Sequence, residues 1–500
     1  MTTLASVEAI SFELDRGSKE PLYRQLRRLL EQRLLSGEYA RGARLPSSRE
    51  LALELGLSRN TVNTAYQELV AEGFLVARPR SGLYLNDEVS LSQATAKAGR
   101  GVPPASLAWS GRLRAEPDAG MPEIEKISDW QHFPYPFIAG QVEVRSFPVA
   151  AWTRALRDAL DPPHLHYSLR DAISADDPLL VEMLCRHILP ARGIEADPEE
   201  VLVTVGSQQG LSFLARALLA PGTKVAVEDP GYLDARHIFV RSQAQLVPLP
   251  IDQSGVVPPP DLAGVGLLYL TPSHQHPTNA TLSIGRRQQL LHLASEADTL
   301  VLEDDYDSEL RYLGNPSPSL KSLDRSDRVV YMGTFSKFLA PGLRLGYLVG
   351  ARELIEHLRA ERRYSIRHPA GQIQRAMGLF IQSGQYHRAV RRHRALLRRK
   401  WEAMASAIDR HFPWPVPLPA GGVTVWVESP EPLDGAKLAR EAQRHGVIIE
   451  RGDIFFADPR AGRHCFRLGY SAIPLEAIEP GIRVLGQLLR EQRRTRRAES

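Results

Sequence analysis

Residues 333–347, GTFSKFLAPGLRLGY, decide how the larger part of this chain is interpreted. They follow a β-branched run that predicts a buried strand. Lys337 lies just beyond that strand, close to the hydroxyls of Thr334 and Ser336, and Arg344 follows in the same loop. A lysine amine can condense with a carbonyl group and a guanidinium can hold a phosphate, so this segment predicts a site for both groups.

Two earlier segments also end predicted strands with polar groups. Residues 299–310, TLVLEDDYDSEL, place acids at a strand end, where buried carboxylates are costly unless a cation or a protonated nitrogen balances them. A pyridinium ring would serve, and a metal ion is the rival. Residues 203–216, VTVGSQQGLSFLAR, lead through Gly206, Ser207 and Gln208 into a helix whose first N–H groups could hold a phosphate. Taken alone, a plain strand-to-helix connection would look the same.

Around these segments, short β-branched runs alternate with helical ones. The predicted strands are 201–205, 224–228, 266–270, 299–303, 328–332 and 346–349. Such alternation predicts a mostly parallel α/β sheet with helices on both faces, and ligands bind such sheets at the carboxyl ends of the strands. After about residue 350, long Arg-rich helices lead into strand-like stretches, which predict a small C-terminal α+β subdomain.

The N-terminal part of the chain follows a different pattern. Apolar residues at helical spacing predict a helix from Pro21, a second helix in 44–56 and a third in 58–73, before a hairpin with a basic tip at 78–82. Two short helices joined at Gly56, the later one bearing amides and few acids outward, are typical of a helix-turn-helix DNA reader. A small helical arm for protein interaction would share this pattern.

Residues 21–85 resemble the GntR-type winged helix along their whole length, with LPSSR at 45–49 and SRNTV at 58–62. This resemblance implies that the module binds operator DNA. The residues that it assigns to DNA are Arg49, Arg59, Asn60, Thr61, Asn63, Thr64, Arg80 and Gly82.

Composition sets limits on the whole chain. Its 500 residues exceed one ordinary core, and 43% hydrophobic with 24% charged residues is typical of globular proteins. A net charge of +4 permits nucleic-acid binding without requiring it. With two cysteines and no CxxC or nearby histidine cluster, we expect neither a disulfide framework nor a metal site.

Location and domain boundaries also follow from the sequence. The apolar runs are too short to span a membrane, and residues 1–17 carry early acids rather than a secretory signal, so we expect a cytoplasmic protein. Residues 86–128 are rich in Ser, Ala, Gly and Pro and predict a flexible linker. We therefore predict a DNA-binding domain at 1–85 and an effector domain at 129–500.

The three segments at 333–347, 299–310 and 203–216 together resemble the fold-type I aminotransferases. With SFPVAAW at 146–152, EDPGYLDAR at 228–236 and TPSHQHPT at 271–278, they resemble specifically the MocR/GabR regulators, in which a winged helix is fused to such a domain. The resemblance implies a multidomain α/β protein that uses pyridoxal 5′-phosphate (PLP) and forms a homodimer.

The resemblance also assigns residue roles. Lys337 would form the Schiff base with PLP, Asp304 would pair with the pyridinium nitrogen, and Tyr306 would bond the ring hydroxyl. Arg467, in FRLGYS, would pair with the carboxylate of an amino-acid ligand. Tyr232 would stack on the ring. The implied phosphate contacts are Ser207, Gln208, Thr334, Ser336 and Arg344.

Some positions depart from the family pattern. The usual Pro-Thr-Gly appears here as HPTN at 276–279, which leaves the roles of His276 and Asn279 open. Asp234 stands where some relatives carry an arginine, which argues against a GABA-type ligand. An acid at this position would suit a ligand with an extra ammonium group.

These features predict a PLP-dependent transcription regulator that binds operator DNA and senses a small amino compound through aldimine exchange at Lys337. The alternatives are an active aminotransferase with an attached DNA-binding module, and a regulator that senses PLP itself. The same lysine, aspartate and arginine serve binding and catalysis, so they separate these hypotheses poorly. The winged helix favours regulation, because an aminotransferase needs no DNA reader.

Overall fold

The computed structural model describes residues 14–18, 20–36, 38–40, 42–89, 109, 112–113, 117–118, 120–307, 309–314 and 317–499. The chain divides into two compact units between residues 114 and 115, and each unit is described by itself. Most of the predicted linker, residues 86–128, lies outside the described residues, and so does most of residues 1–17. The interpretations of both segments therefore stay predictions.

The first unit is a small helical bundle with a hairpin. Its elements are α1 (Leu22–Ser36), α2 (Ser48–Leu55), α3 (Arg59–Ala71), β1 (Leu75–Arg78) and β2 (Gly82–Leu85). Ser47 caps α2 in a reciprocal capping box with Glu50, and Gly56 ends the helix in a left-handed conformation with φ 60°. Side chains from all three helices and both strands form one core, which includes Leu26, Leu30, Leu51, Val62, Tyr66, Leu69, Leu75 and Leu85. This arrangement is the predicted winged helix-turn-helix.

The second unit alternates strands and helices along most of its length. Its strands are β3 (Tyr135–Pro136), β4 (Val201–Thr204), β5 (Lys224–Asp229), β6 (Gln245–Asp252), β7 (Gly255–Val256), β8 (Val265–Leu270), β9 (Leu300–Asp305), β10 (Val329–Thr334), β11 (Gly346–Val349), β12 (Thr424–Glu428), β13 (Val447–Ile448), β14 (Glu450–Arg451) and β15 (Cys465–Gly469). Its helices are α4 (Val149–Asp158), α5 (Pro162–Leu169), α6 (Pro178–Met183), α7 (Ser207–Leu218), α8 (Leu233–Arg241), α9 (Ile284–Glu296), α10 (Leu320–Leu323), α11 (Arg352–Ser365), α12 (Gly371–Gln382), α13 (Gln385–His411), α14 (Gly435–Arg444) and α15 (Leu475–Glu499).

A large mixed sheet forms the centre of this unit. Its described strands take the order β4-β11-β10-β9-β8-β5-β6-β7. The neighbours β10, β9, β8, β5 and β6 are parallel, whereas β11 runs antiparallel to both β10 and β4. The strands β4, β10, β9, β8 and β5 therefore share one direction, and their carboxyl ends meet at one edge. The mostly parallel α/β sheet is confirmed, and each predicted strand lies on one of its members.

Strand β6 was not predicted, because Pro248 and Pro250 interrupt its pattern. Prolines two positions apart place their nitrogen atoms on the same side of a strand. On that side the carbonyl of Pro250 accepts from the Val257 amide, which lies beyond β7 and away from β5. The ladder between β5 and β6 can therefore continue past both prolines.

The C-terminal part forms the predicted smaller α+β subdomain. An antiparallel sheet of the order β12-β15-β14 packs with α13, α14 and α15 around its own core. In the described part of the chain, no helix is long and apolar enough to cross a membrane. Among the same residues, no group of three or more His, Cys, Asp or Glu side chains is placed to hold a metal ion.

Candidate functional site

A cavity of about 790 Å³ opens where the carboxyl ends of the parallel strands face the C-terminal subdomain. Loops that lie far apart in sequence meet there, because the sheet direction brings those strand ends to one edge. The predicted site residues on its wall are Ser207, Gln208, Tyr232, Tyr306, Thr334, Ser336, Lys337, Arg344 and Arg467.

Lys337 lies in the loop that follows β10. Its Nζ lies 5.4 Å from the centroid of the Tyr306 ring. Burial lowers the pKa of the Lys337 amine below its ordinary value, although the charge of Asp307 acts in the opposite direction. A lowered pKa increases the neutral fraction of the amine, which is the nucleophilic form.

Asp304 lies one residue before the end of β9 and is buried, and it is not among the described residues that line the cavity. The Tyr269 hydroxyl donates to Asp304 Oδ2 at 2.7 Å, but Oδ1 is buried and has no hydrogen-bond partner among the described residues. Burial raises the pKa of Asp304 to about 7, although the Tyr269 hydrogen bond and Lys337 oppose this shift. An unpartnered buried carboxyl oxygen beside a lysine fits the protonated ring nitrogen of PLP.

The start of α7 and Arg344 lie together on the cavity wall. Gly206 precedes the helix with φ 77°, and Arg344 Nη2 donates to the Val205 carbonyl at 3.1 Å. The positive φ favours glycine at position 206, and a Cβ there would lie 2.9 Å from Arg344 Nη2, so a larger residue would displace the guanidinium from its present position. The free N–H groups of a helix N-terminus and a guanidinium together suit a phosphate.

Two predicted cofactor contacts are held by Asp234, near the start of α8. The Tyr232 hydroxyl donates to Asp234 Oδ2 at 3.1 Å, and Gln208 Nε2 donates to the same oxygen. Tyr306 has a different partner, since its hydroxyl donates to the His274 carbonyl at 2.8 Å. The acid at position 234 therefore orients the side chains of two predicted cofactor contacts.

The open positions His276 and Asn279 take separate places. Asn279 Nδ2 donates to the carbonyl and the hydroxyl of Thr424, at 2.5 and 2.9 Å, and so ties this loop to β12. His276 lies on the cavity wall, where its Nε2 is 2.5 Å from Arg467 Nη1. Asn279 therefore has a structural role through its hydrogen bonds to Thr424, whereas His276 belongs to the candidate site.

The predicted DNA-contacting residues lie on the first unit. Most are exposed on α2, α3 and the hairpin, namely Arg49, Arg59, Asn60, Asn63, Thr64, Arg80 and Gly82. Thr61 differs, because it is half-buried and its hydroxyl pairs with that of Ser58 at 2.8 Å, within the N-cap of α3. Exposed amides and guanidinium groups on one short helix have the chemistry that contacts base edges.

The hairpin tip requires special backbone conformations. Arg80 has φ 61° and Gly82 has φ 115°, and a Cβ at Gly82 would lie 3.2 Å from Arg44 Nε. Arg44 is exposed beside the hairpin, and the Arg78 guanidinium stacks on Tyr84 at 4.4 Å. We did not single out Arg44 from the sequence, because it lies before α2 and only the hairpin packing brings it to the tip.

Both units are similar to known proteins. Residues 22–85 match the family described as bacterial regulatory proteins, gntR family, and residues 143–485 match aminotransferase class I and II. The chain is 41% identical to the HTH-type transcriptional regulator TauR of Rhodobacter capsulatus, over 96% of this chain and 99% of TauR. It is 32% identical to the probable rhizopine catabolism regulatory protein MocR of Rhizobium meliloti, over 94% of each protein. The chain belongs to the MocR-type transcription regulators.

Two solved structures similar to this MocR-type chain are aminotransferases. Kynurenine aminotransferase from Pyrococcus horikoshii matches with a TM-score of 0.70 and 27% identity, over 77% of this chain and 99% of that enzyme. LysN, an α-aminoadipate aminotransferase from Thermus thermophilus, matches with a TM-score of 0.68 and 29% identity, over the same shares. This MocR-type chain is thus a DNA-binding regulator with an aminotransferase-like domain, whose cofactor is PLP.

One segment of this MocR-type chain reaches the cavity although we predicted it to be linker. Residues 122–127 line the cavity wall, and we call residues 117–118 and 120–127 the strap. His237 on α8 holds the strap, with Nδ1 2.6 Å from Asp118 Oδ2 and Nε2 2.9 Å from the Pro122 carbonyl. Burial acts to lower the pKa of His237, but these two hydrogen bonds outweigh it and raise the pKa. A Pro-rich, aperiodic stretch gave no sign of this contact.

Glu450 is a second cavity residue that sequence reasoning missed. It lies on the short strand β14, directly across from Arg467 on β15. The residue belongs to the strand-like stretches that the sequence indicates after about residue 350, but the sequence assigns them no partner strand and no register. Pairing between strands fixes which side chains meet, and the sequence does not state it.

Proposed function

We propose that this MocR-type regulator senses a small amino compound in the cavity of its second unit and relays its presence to operator DNA held by the first. The observation that carries the proposal is Asp304 Oδ1, which is buried without a hydrogen-bond partner among the described residues and whose carboxyl group interacts electrostatically with the Lys337 amine. When bound, PLP supplies an electron-withdrawing ring and a carbonyl carbon that reacts with primary amines. An amine that replaces Lys337 there would be the sensed species.

The side chains of the cavity support specific roles in holding PLP. Asp304 would keep the proton on the ring nitrogen, and Tyr232 would cover one ring face. Tyr306 donates its hydroxyl hydrogen to the His274 carbonyl and would therefore accept from the ring hydroxyl through its phenol oxygen. Ser207, Gln208, Thr334, Ser336 and Arg344 would hold the phosphate at the start of α7. Arg467 would bind an acidic group of the amino compound.

The first unit would place α3 in the major groove. Arg59, Asn60 and Asn63 are exposed on this helix, and amide and guanidinium groups form paired hydrogen bonds with base edges. The further contacts would come from Arg49, Thr61, Thr64, Arg80 and Gly82. Coupling requires that the amino compound bind one arrangement of the two units more tightly than another.

We also propose a cytoplasmic homodimer. Large apolar side chains are exposed at two stretches of the second unit, including Val149 at 62%, Leu169 at 70% and Tyr364 at 84%. These stretches adjoin, because Asp171 and Arg367 form an ion pair between them. A second copy of the chain would cover this apolar surface, and a dimer would present two winged helices to a repeated operator.

The test is a titration of the full-length, PLP-loaded protein with a panel of amines and amino acids. The absorption spectrum of the bound cofactor and the release of keto products are followed together, with Lys337→Ala as the control. A saturable spectral change without keto product, accompanied by altered operator affinity, supports the sensor. Steady production of keto acid would instead make the second unit an enzyme and contradict the proposal.

A further inference from the structure

The arginine proposed to bind the acidic group of the effector already has a carboxylate partner. Arg467 Nε donates to Glu450 Oε2 at 2.6 Å, and the Arg467 side chain is only 3% exposed. The two residues face each other in the antiparallel register of β14 and β15. Cross-strand neighbours lie on the same face of a sheet, so this ion pair is fixed by the strand pairing.

A second donor of the same guanidinium is also engaged. Arg467 Nη1 lies 2.5 Å from His276 Nε2. Burial, together with Arg467 and Lys337, lowers the pKa of His276 well below its ordinary value. The imidazole is therefore neutral, and its Nε2 accepts the hydrogen bond. Among the described residues, Nη2 and one hydrogen on Nη1 have no acceptor, so these donors are left for a ligand.

The charge of the pair limits what this end of the cavity can bind. Glu450 compensates the positive charge of Arg467, so a ligand with one carboxylate would meet a guanidinium and a carboxylate side by side. Glu450 lines the cavity, and among the described residues its Oε1 has no hydrogen-bond donor. Three other carboxylates line the cavity, namely Glu123, Glu125 and Asp234. Glu123 and Glu125 belong to the strap, and Asp234 already accepts from Gln208 and Tyr232 through its Oδ2, so Glu450 is the one paired with Arg467.

We propose that Glu450 is a specificity-determining residue that selects a diamino acid as the effector. The carboxylate of the ligand binds the free edge of Arg467, and an ammonium group beside that carboxylate binds Glu450 Oε1. A second primary amine of the ligand reaches the position of Lys337. This assignment rests on the proposed function, since it names the ligand class of the same cavity.

The test compares matched ligands on the full-length, PLP-loaded protein. Each diamino acid from 2,3-diaminopropanoate to lysine is paired with the analogue that lacks the ammonium beside the carboxylate and with the diamine that lacks the carboxylate. For ornithine these analogues are 5-aminopentanoate and 1,4-diaminobutane. Dissociation constants come from calorimetry, and the spectrum of the bound cofactor is recorded in parallel.

We expect at least one diamino acid to bind about tenfold or more tightly than either of its analogues, because a charge-assisted contact is lost in each analogue. In Glu450→Gln the preference over the monoamino acid should fall to near unity. Glu450→Asp keeps the charge and should retain part of the preference, which separates loss of charge from loss of folding. Glu428→Gln is the matched control and should change nothing, because Glu428 is exposed at the end of β12, on the other side of β15 from β14.

The outcomes separate this inference from the proposed function. If monoamino acids bind and shift the spectrum as strongly as diamino acids, or if Glu450→Gln weakens both equally, Glu450 does not select the ligand and the inference is overturned. If no amine of any class binds or shifts the spectrum, amine sensing itself fails and this inference fails with it.

Discussion

Arg59, Asn60 and Asn63 are exposed on α3, whereas Asp304 is buried at the end of β9 with one oxygen that has no partner among the described residues. The polar groups of the two candidate sites thus differ in their exposure to solvent. On α3 the polar side chains are solvated, so they cost the folded unit little. At the sheet edge the protein keeps a buried carboxyl group that its own residues leave incompletely bonded, and such groups are destabilising.

This difference gives each region its own signature under mutation. Substitutions in the cavity should remove ligand binding while leaving the apo-protein as stable as before or more stable. Substitutions on α3 should remove DNA affinity with little change in stability in either direction.

The largest effect is expected for Lys337→Ala. This variant lacks the amine that lies in the cavity beside Tyr306. Added amines should therefore no longer cause the spectral change that accompanies replacement of the lysine amine by the ligand amine at the cofactor. The measurement is the absorption spectrum of the protein mixed with PLP, before and after amine addition. Operator affinity without effector should be retained, and its loss would show that Lys337 supports the fold of both units.

Asp304→Asn should most clearly combine a loss of cofactor binding with a gain in the stability of the apo-protein. Without the carboxylate opposite the ring nitrogen, we expect PLP affinity to fall by about a hundredfold, corresponding to roughly 3 kcal/mol. The dissociation constant of PLP measures this effect. An affinity within a few-fold of the unmodified protein would contradict the proposed pairing.

The same variant should also change how the free energy of unfolding depends on pH. The pKa of Asp304 is raised to about 7, above the value of about 3.9 for an unfolded aspartate. Between these values the folded state binds more protons than the unfolded state, so Asp304 makes stability fall as pH rises. Asp304→Asn should therefore stabilise the apo-protein at pH 8 relative to pH 4.5, by on the order of a few kcal/mol at most. Urea unfolding at both pH values measures the difference, and an equal shift at both would argue against it.

Arg59→Ala should give a moderate loss confined to DNA binding. An arginine contact with a base or phosphate contributes about 1–3 kcal/mol, which corresponds to a tenfold to hundredfold loss of operator affinity. Fluorescence anisotropy with operator DNA measures it, and the urea midpoint should stay unchanged. Arg28→Ala is the matched control, since Arg28 is an exposed arginine on α1 with 56% of its side chain accessible. Equal losses in both variants would indicate a general charge effect.

The smallest effect is expected at the strap. Its histidine, His237, has a raised pKa because of the Pro122 carbonyl and Asp118, and the charged groups around it are Asp118, Asp234 and Arg241. A raised pKa means that protonation stabilises the docked strap below the ordinary histidine value of about 6.5 and that this contribution is lost as pH rises through the folded pKa.

Hydrogen exchange of residues 120–127 measures this effect as protection factors at pH 6 and pH 8.5. We expect roughly fivefold lower protection at the higher pH, and low protection at both values in Asp118→Asn. His237→Gln should remove the pH dependence. A strap equally protected at both pH values would show that protonation of His237 does not hold it.

Much of the fold and of the candidate sites could be predicted from the sequence alone. Local patterns are sufficient where function follows from neighbouring residues, as in α3, where Ser58 caps the helix and amides at helical spacing face outward. Short β-branched runs likewise predicted the parallel sheet, because strands buried on both faces must be apolar. The lysine at 337 and the acid at 304 were recognisable from their place after a strand and from the family resemblance.

Only the tertiary structure decided which distant groups meet. The register of β14 against β15 places Glu450 on Arg467, and no local pattern encodes that pairing. The strap reaches the cavity through Asp118 and His237, which are far apart in sequence and meet because the chain returns to α8. The sequence thus determined the elements and the chemistry that they carry, whereas long-range packing determined charge compensation within the cavity, because that depends on distances between segments that are not neighbours in the chain.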